Sequence, residues 1–135
     1  YKKMESYIAM NNSEAAVSDM QSLAQDTRSN YGAEAKYLLA NYYFTHQQYD
    51  AAEKEIFDFI EKGTPHQQWL AKSFILLSDV YMQKENYFEA KQYLLSLKDN
   101  YTSNDKEINE AINTRLEKLR KIESETVVEK TNPVE

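Results

Sequence analysis

Residues 31–62 read YGAEAKYLLANYYFTHQQYDAAEKEIFDFIEK, and residues 69–100 read WLAKSFILLSDVYMQKENYFEAKQYLLSLKDN. Laid one over the other at an offset of 38, the two stretches match in residue size at nine positions. These are Tyr31/Trp69, Ala33/Ala71, Leu39/Leu77, Ala40/Ser78, Tyr43/Tyr81, Tyr49/Tyr87, Ala52/Ala90, Ile56/Leu94 and Phe59/Leu97. A fainter copy lies upstream at an offset of 36, pairing Tyr7 with Tyr43, Ala16 with Ala52, Met20 with Ile56 and Leu23 with Phe59. Self-similarity at such a period is the mark of a repeat architecture, in which one supersecondary unit buries its apolar face only by stacking on the next.

Each unit reads as two helices. From Ala33 to His46 the residues Leu39, Ala40, Tyr42 and Tyr43 recur at three-to-four spacing, the helical period. Polar His46-Gln47-Gln48 forms a turn, and a second helix from Tyr49 carries Ala52, Ile56, Phe59 and Ile60 on one face. Gly63 stands where a helix C-terminus favours a left-handed residue. Thr64, Pro65 and Gln67 fit an N-cap, a first helical position and a capping-box partner. The pattern repeats as a helix over 70–84, a turn at Glu85-Asn86 and a helix over 87–100. Asn104 with Glu107 makes a capping pair for a last helix whose stripe is Ile108, Ala111, Ile112, Leu116, Leu119 and Ile122. One narrow apolar stripe with a charged back suits a terminal capping helix. From Ser124 the period is lost, and a disordered tail is expected.

Composition agrees. Only two Gly and two Pro occur in 135 residues, too few for a β-rich chain of tight turns. Hydrophobic residues at 41% and charged residues at 28% are an ordinary globular balance. Cysteine is absent, which rules out disulfides, thiol catalysis and Cys-based zinc sites. A net charge of −6 argues against non-specific binding to nucleic acid or anionic lipid. No apolar run reaches the roughly 18–20 residues of a membrane span. Residue 1 is Tyr and enters helix-like sequence directly, so the chain reads as a piece of a longer protein.

The units resemble the tetratricopeptide repeat (TPR) family. Its pattern is a large residue, Leu, a small residue and Tyr on the first helix, then Ala, a bulky residue and Ala on the second. Phe74, Leu77, Ser78, Tyr81, Ala90 and Leu94 carry it in one unit, and Leu39, Ala40, Tyr43, Ala52, Ile56 and Phe59 in the other. Leu97 stands where the family has Ala, Lys36 takes the usual large aromatic position, and both offsets exceed the family's 34-residue period. The resemblance implies an all-α, right-handed superhelical array of antiparallel helix hairpins with a C-terminal capping helix. That gives one domain over 1–123: a partial repeat at 1–30, repeats at 31–66 and 67–102, a capping helix at 104–123 and a flexible tail at 124–135. The Tyr- and Asn-rich style also resembles large TPR proteins of bacterial cell envelopes, which points to the periplasm or envelope for the parent protein.

Nothing in the sequence points to chemistry. His46 and His66 sit in polar loops without further ligands at helical spacing. With two glycines a phosphate-cradling loop has no material, and the carboxylate pairs, such as Glu53 and Glu55, lie on charged helix faces. No enzyme activity, cofactor or metal is expected. The resemblance places the first helix of each unit on the concave side, which assigns a partner-binding groove to Glu34, Tyr37, Asn41, Phe44, Lys72, Ile75, Asp79 and Met82. Apolar and aromatic anchors beside polar groups suit a protein or peptide partner. Because Tyr37, Ile75 and Asp79 stand where carboxylate-gripping Lys and Asn would be needed, C-terminal carboxylate capture is not expected. Two alternatives stay open: a glycan or other extended ligand on Tyr37, Tyr42 and Trp69, and a structural end-piece of a longer array. Self-association is compatible with all three. Tyr37, Tyr42, Tyr93 and Tyr101 are the tyrosines expected to be exposed.

Overall fold

The computed structural model describes residues 13–101 and 105–131, with side chains over 16–101 and 105–125. Among the described residues there are helices and no strands. The helices are α1 (Ser13–Leu23), α2 (Asn30–Thr45), α3 (Tyr49–Lys62), α4 (Gln67–Gln83), α5 (Tyr87–Asn100) and α6 (Lys106–Thr131). The fold is all-α. α2 and α3 form one hairpin, and α4 and α5 form the next. α4 packs back onto both α2 and α3, and α6 packs onto α4 and α5, while α1 lies against α2. Tyr7 and the rest of residues 1–12 lie outside the described residues.

The repeat in the sequence is a repeat in the backbone. Gln47 and Glu85, 38 residues apart, both adopt positive φ, 62° and 61°. Gln48 and Asn86, next along, share φ −93° and ψ 70°. In each turn two amides reach back to the helix: Gln47 N to Phe44 O (3.0 Å) and Gln48 N to Tyr43 O (2.8 Å), then Glu85 N to Met82 O (3.1 Å) and Asn86 N to Tyr81 O (2.8 Å). These are Schellman closures, built here on residues that carry a Cβ.

Small side chains set the helix spacing. Ala52 and Ala90 are fully buried, and so are Ala40 and Ser78 at the paired positions of the first helices. The hydroxyl of Ser78 is satisfied within its own helix by Ile75 O at 2.6 Å. Around these positions Ile56, Phe59, Leu77 and Leu94 are at most 1% exposed. Fully burying such side chains stabilises by about 1.5–3 kcal/mol each.

The connections between units are tied to each other. Thr27 Oγ1 donates to Gly63 O at 2.8 Å, and Trp69 Nε1 donates to Asn30 Oδ1 at 3.0 Å. His66 Nε2 meets Arg28 O at 3.0 Å. Gly32, in the first turn of α2, has no room for a side chain, since a Cβ there would stand 1.7 Å from Asp26 O. Gly63 has positive φ (74°), as its place at the end of α3 requires.

Three local expectations differ from the structure. α4 starts at Gln67 rather than at Pro65, with Thr64 Oγ1 accepting from the His66 amide at 3.1 Å. Gln67 Nε2 donates to the carbonyl of Thr64, not the reverse bond a capping box needs. The α6 cap is Asp105, whose Oδ1 accepts from Ile108 N at 3.2 Å, while Asn104 lies outside the described residues. Finally, α6 runs through Thr131, past the end at residue 123 that its apolar stripe suggested. The stripe ends where packing ends, but a helix satisfies its own backbone and continues beyond it. Residues 132–135 of the expected tail lie outside the described residues.

Two predictions follow from the turns. Q47G and E85G remove the left-handed Cβ penalty and should each raise stability by about 0.5–1 kcal/mol, read as a higher denaturant midpoint at unchanged slope. Gly32→Ala should lower it by more than about 2 kcal/mol, since the clash is with backbone.

Candidate inner-face site

α2, α4 and α6 lie side by side, and their shared surface forms a shallow cleft of about 190 Å³. Tyr37 comes from α2, Lys72 and Ile75 from α4, and Glu107, Ala111 and Arg115 from α6. Three of the eight expected groove residues, Tyr37, Lys72 and Ile75, therefore line one cavity. Ile75 is nearly buried and forms its floor together with Ile108.

Asp79 lies outside the lining but holds Arg115, which belongs to it. Its carboxylate accepts both Arg115 Nε (2.7 Å) and Arg115 Nη2 (2.9 Å), and Arg115 Nη1 also donates to Ala111 O at 3.1 Å. A two-pronged bond of this kind fixes both distance and orientation. The fork ties α6 to α4 and holds the guanidinium charge more firmly than usual, chiefly through the hydrogen bonds it donates to Asp79. Arg115 is also within electrostatic reach of Tyr37. Burial, and next the Asp79 charge, raises the Tyr37 phenol above its ordinary range.

The other rim is aromatic. The Tyr37 and Trp69 rings are 5.9 Å apart, and Lys72 Nζ sits 4.7 Å from the Trp69 ring centre. That places a cation over an indole face.

The remaining expected groove residues are spread elsewhere. Glu34 is 4% exposed and belongs to the interior rather than to an accessible surface. Phe44 packs beside the core of Ala40, Ile56, Leu76 and Leu77 and lies 5.5 Å from the Tyr49 ring. Met82 packs against Ala90, Leu94 and Leu119. Asn41 is half-buried on α2. Glu107 and Arg115 were missed, although each lies four residues from Ala111 of the apolar stripe and so on one line of α6 with it.

The tyrosines expected to be exposed are half-buried. Tyr42 lies 4.1 Å from the His46 ring. Tyr93 stacks on Tyr81 at 5.6 Å and 1°, and Tyr101 packs beside Ala71 and Ile108. Among the described residues the large apolar side chains most open to solvent are instead Phe88 and Tyr31, 70% and 61% exposed. His46 Nδ1 meets Tyr42 O at 2.8 Å, so both histidines are engaged with backbone carbonyls. Among the described residues no three or more His, Cys, Asp or Glu are grouped to hold a metal ion, and no helix is long and apolar enough to cross a membrane.

No known protein-family model, curated protein or solved structure matches the chain.

The fork and the phenols each give a measurable consequence. Arg115→Ala strands a partly buried carboxylate and should cost about 1–3 kcal/mol, with amide exchange quickening over 106–125 before it does over α2 and α3. The Tyr81 phenol is raised by burial, then by its hydrogen bond to Glu53. A phenol raised in the fold ionises first in the unfolded chain, so its contribution is intact below about pH 10 and is lost as pH rises further. Urea midpoints measured from pH 9 upward should fall, and less steeply in Tyr81→Phe.

Proposed function

We propose that the chain is part of a tetratricopeptide-like superhelical array and acts as a scaffold, binding a partner protein or peptide on the face shared by α2, α4 and α6, without catalysis. The observation that carries this reading is the cleft itself. Three helices from successive units contribute to one concavity with an apolar floor of Ile75 and Ile108 and rims of opposite charge at Lys72 and Glu107. A volume of about 190 Å³ suits one or two side chains of a partner rather than a whole small-molecule ligand. Tyr37 supplies a large amphipathic anchor at its edge.

The glycan reading is the weaker one on this geometry. It needs open aromatic faces, and the Trp69 ring has Lys72 over it and Tyr37 beside it, while Tyr42 packs on His46. The end-piece reading draws support from α6, whose Arg115 occupies Asp79 and whose Leu119 lies against the Met82 cluster. The two readings differ in what they expect at the cleft.

A tagged chain and its Tyr37→Ala/Lys72→Ala/Glu107→Ala variant should be compared in capture from a lysate of the source cells, followed by binding assays on what is retained. Truncating central contacts typically costs about 1–2 kcal/mol each, so the variant should bind the captured protein at least tenfold more weakly at unchanged helicity. Equal affinity in the folded variant would exclude this face as the binding surface and leave the end-piece reading.

A further inference from the structure

The two hairpins share a backbone but not a seam. In the first, Lys36 of α2 is buried, its side chain 5% exposed, and its ammonium lies between two carboxylates of α3: Glu55 Oε1 at 3.1 Å and Asp58 Oδ2 at 2.5 Å. Lys62 of α3 reaches the same Asp58 oxygen at 3.4 Å. In the second hairpin the corresponding residues, each 38 further on, are Phe74, Tyr93 and Ser96. There the Phe74 and Tyr93 rings meet at 6.2 Å, and Tyr93 also stacks on Tyr81. An ion cluster and an aromatic pair thus occupy equivalent places.

We propose that this difference is a pairing code: the ion cluster contributes little net stability and instead prevents helices of one unit from pairing with helices of the other, within a chain or between copies. The physical argument lies in the mismatches. α2 set against α5 would bury the Lys36 ammonium against Tyr93, with Ser96 in place of a carboxylate. α4 set against α3 as its hairpin partner would press Phe74 onto Glu55 and Asp58. The first error strips the buried Lys36 ammonium of both carboxylates, and the second takes the cation from Glu55, whose side chain is 20% exposed, whereas each native seam is satisfied. The turns and the close-packed positions offer no such discrimination: Gln47 and Glu85 share φ, Gln48 and Asn86 share φ and ψ, and the residues Ala40, Ser78, Ala52 and Ala90 are all small. Near-identical neighbours are the setting in which misassembly is a characteristic failure of repeat proteins. Replacing a buried ion pair by well-packed apolar groups is often neutral for stability, so specificity and stability are separable here.

The test makes the two seams alike. The variant Lys36→Phe/Glu55→Tyr/Asp58→Ser is refolded from denaturant beside the parent over a range of chain concentrations. Circular dichroism and the unfolding midpoint report the fold, and size-exclusion with light scattering reports the fraction in larger species. The expected result is parent-like or higher midpoint, with a several-fold larger, concentration-dependent fraction of associated chains. A second variant, Lys36→Glu/Glu55→Lys/Asp58→Asn, restores a charged seam distinct from the aromatic one and should return that fraction to the parent's value. A seam-matched variant that folds and associates no more than the parent overturns the proposal. So does one that loses its helicity, because the ion cluster would then be a stability element and not a code.

Discussion

The close approach of helices at Ala52 and Ala90 is the constraint on which the rest of this molecule depends. Both side chains are fully buried, as are the small residues Ala40 and Ser78 on the first helix of each hairpin. Because the crossing is tight, the flanking Ile56, Leu77 and Leu94 can close over it without voids, as close-packed interiors demand. A larger residue would push the helices apart and cost about 1–3 kcal/mol. It would also move α4 relative to α2, and with it both walls of the cleft between Tyr37 and Ile75. The geometry of the inner face is thus set from behind, by residues that never reach its surface.

The hairpins were legible in the sequence because two signals agreed: a helical period within each element and a fixed offset between elements. Each element's existence followed from its apolar face, and the turns at 46–48 and 85–86 fell where polar residues interrupt that face. The ends of helices were less legible. Thr64 accepts the His66 amide as a cap does, yet α4 is regular only from Gln67, and Asp105 accepts the Ile108 amide at the start of α6, Asn104 lying outside the described residues. Several residues in such a loop can accept an amide bond, and which one does depends on how the loop docks, here through Thr27, His66 and Trp69. The inner face was half legible. The family resemblance put Tyr37, Lys72 and Ile75 on one surface, but not that α6 would complete the cavity, since this requires knowing which helix lies beside α4. The half-burial of Tyr42 and Tyr93 was hidden for a similar reason: their ring partners, His46 and Phe57, gain meaning only in three dimensions.

Comparison of the units separates what the architecture requires from what it tolerates. At the seam between consecutive units, Lys84 of α4 is paired with Asp50 (2.5 Å) and Glu53 (2.9 Å) of α3. One unit later, Lys91, the counterpart of Glu53, is paired with Glu123 of α6 at 2.9 Å. The polarity has reversed while the contact has been kept. Both Lys91 and Glu123 are more than a third exposed, and surface pairs of that kind contribute about 0–1 kcal/mol. Such a position needs complementary charge and little else.

That recurrence also explains how α6 comes to lie where it does. Its contacts with α5 through Lys91–Glu123 and with α4 through Arg115–Asp79 follow the relations that α4 has with α3 and α2, so α6 occupies the place of a further unit's first helix. Its stripe of Ile108, Ile112 and Leu119 is buried against the preceding hairpin, while Asn113, Thr114, Glu117 and Lys118 on its back are exposed. A continuing unit would need apolar residues on that back; charge there removes the hydrophobic gain that would draw another helix onto it. The same helix thus turns a charged back away from the hairpins on one side and supplies Glu107, Ala111 and Arg115 to the cleft on another. Those two roles need not conflict, because residues spaced by four on a helix share a line, and α6 has one line for each task.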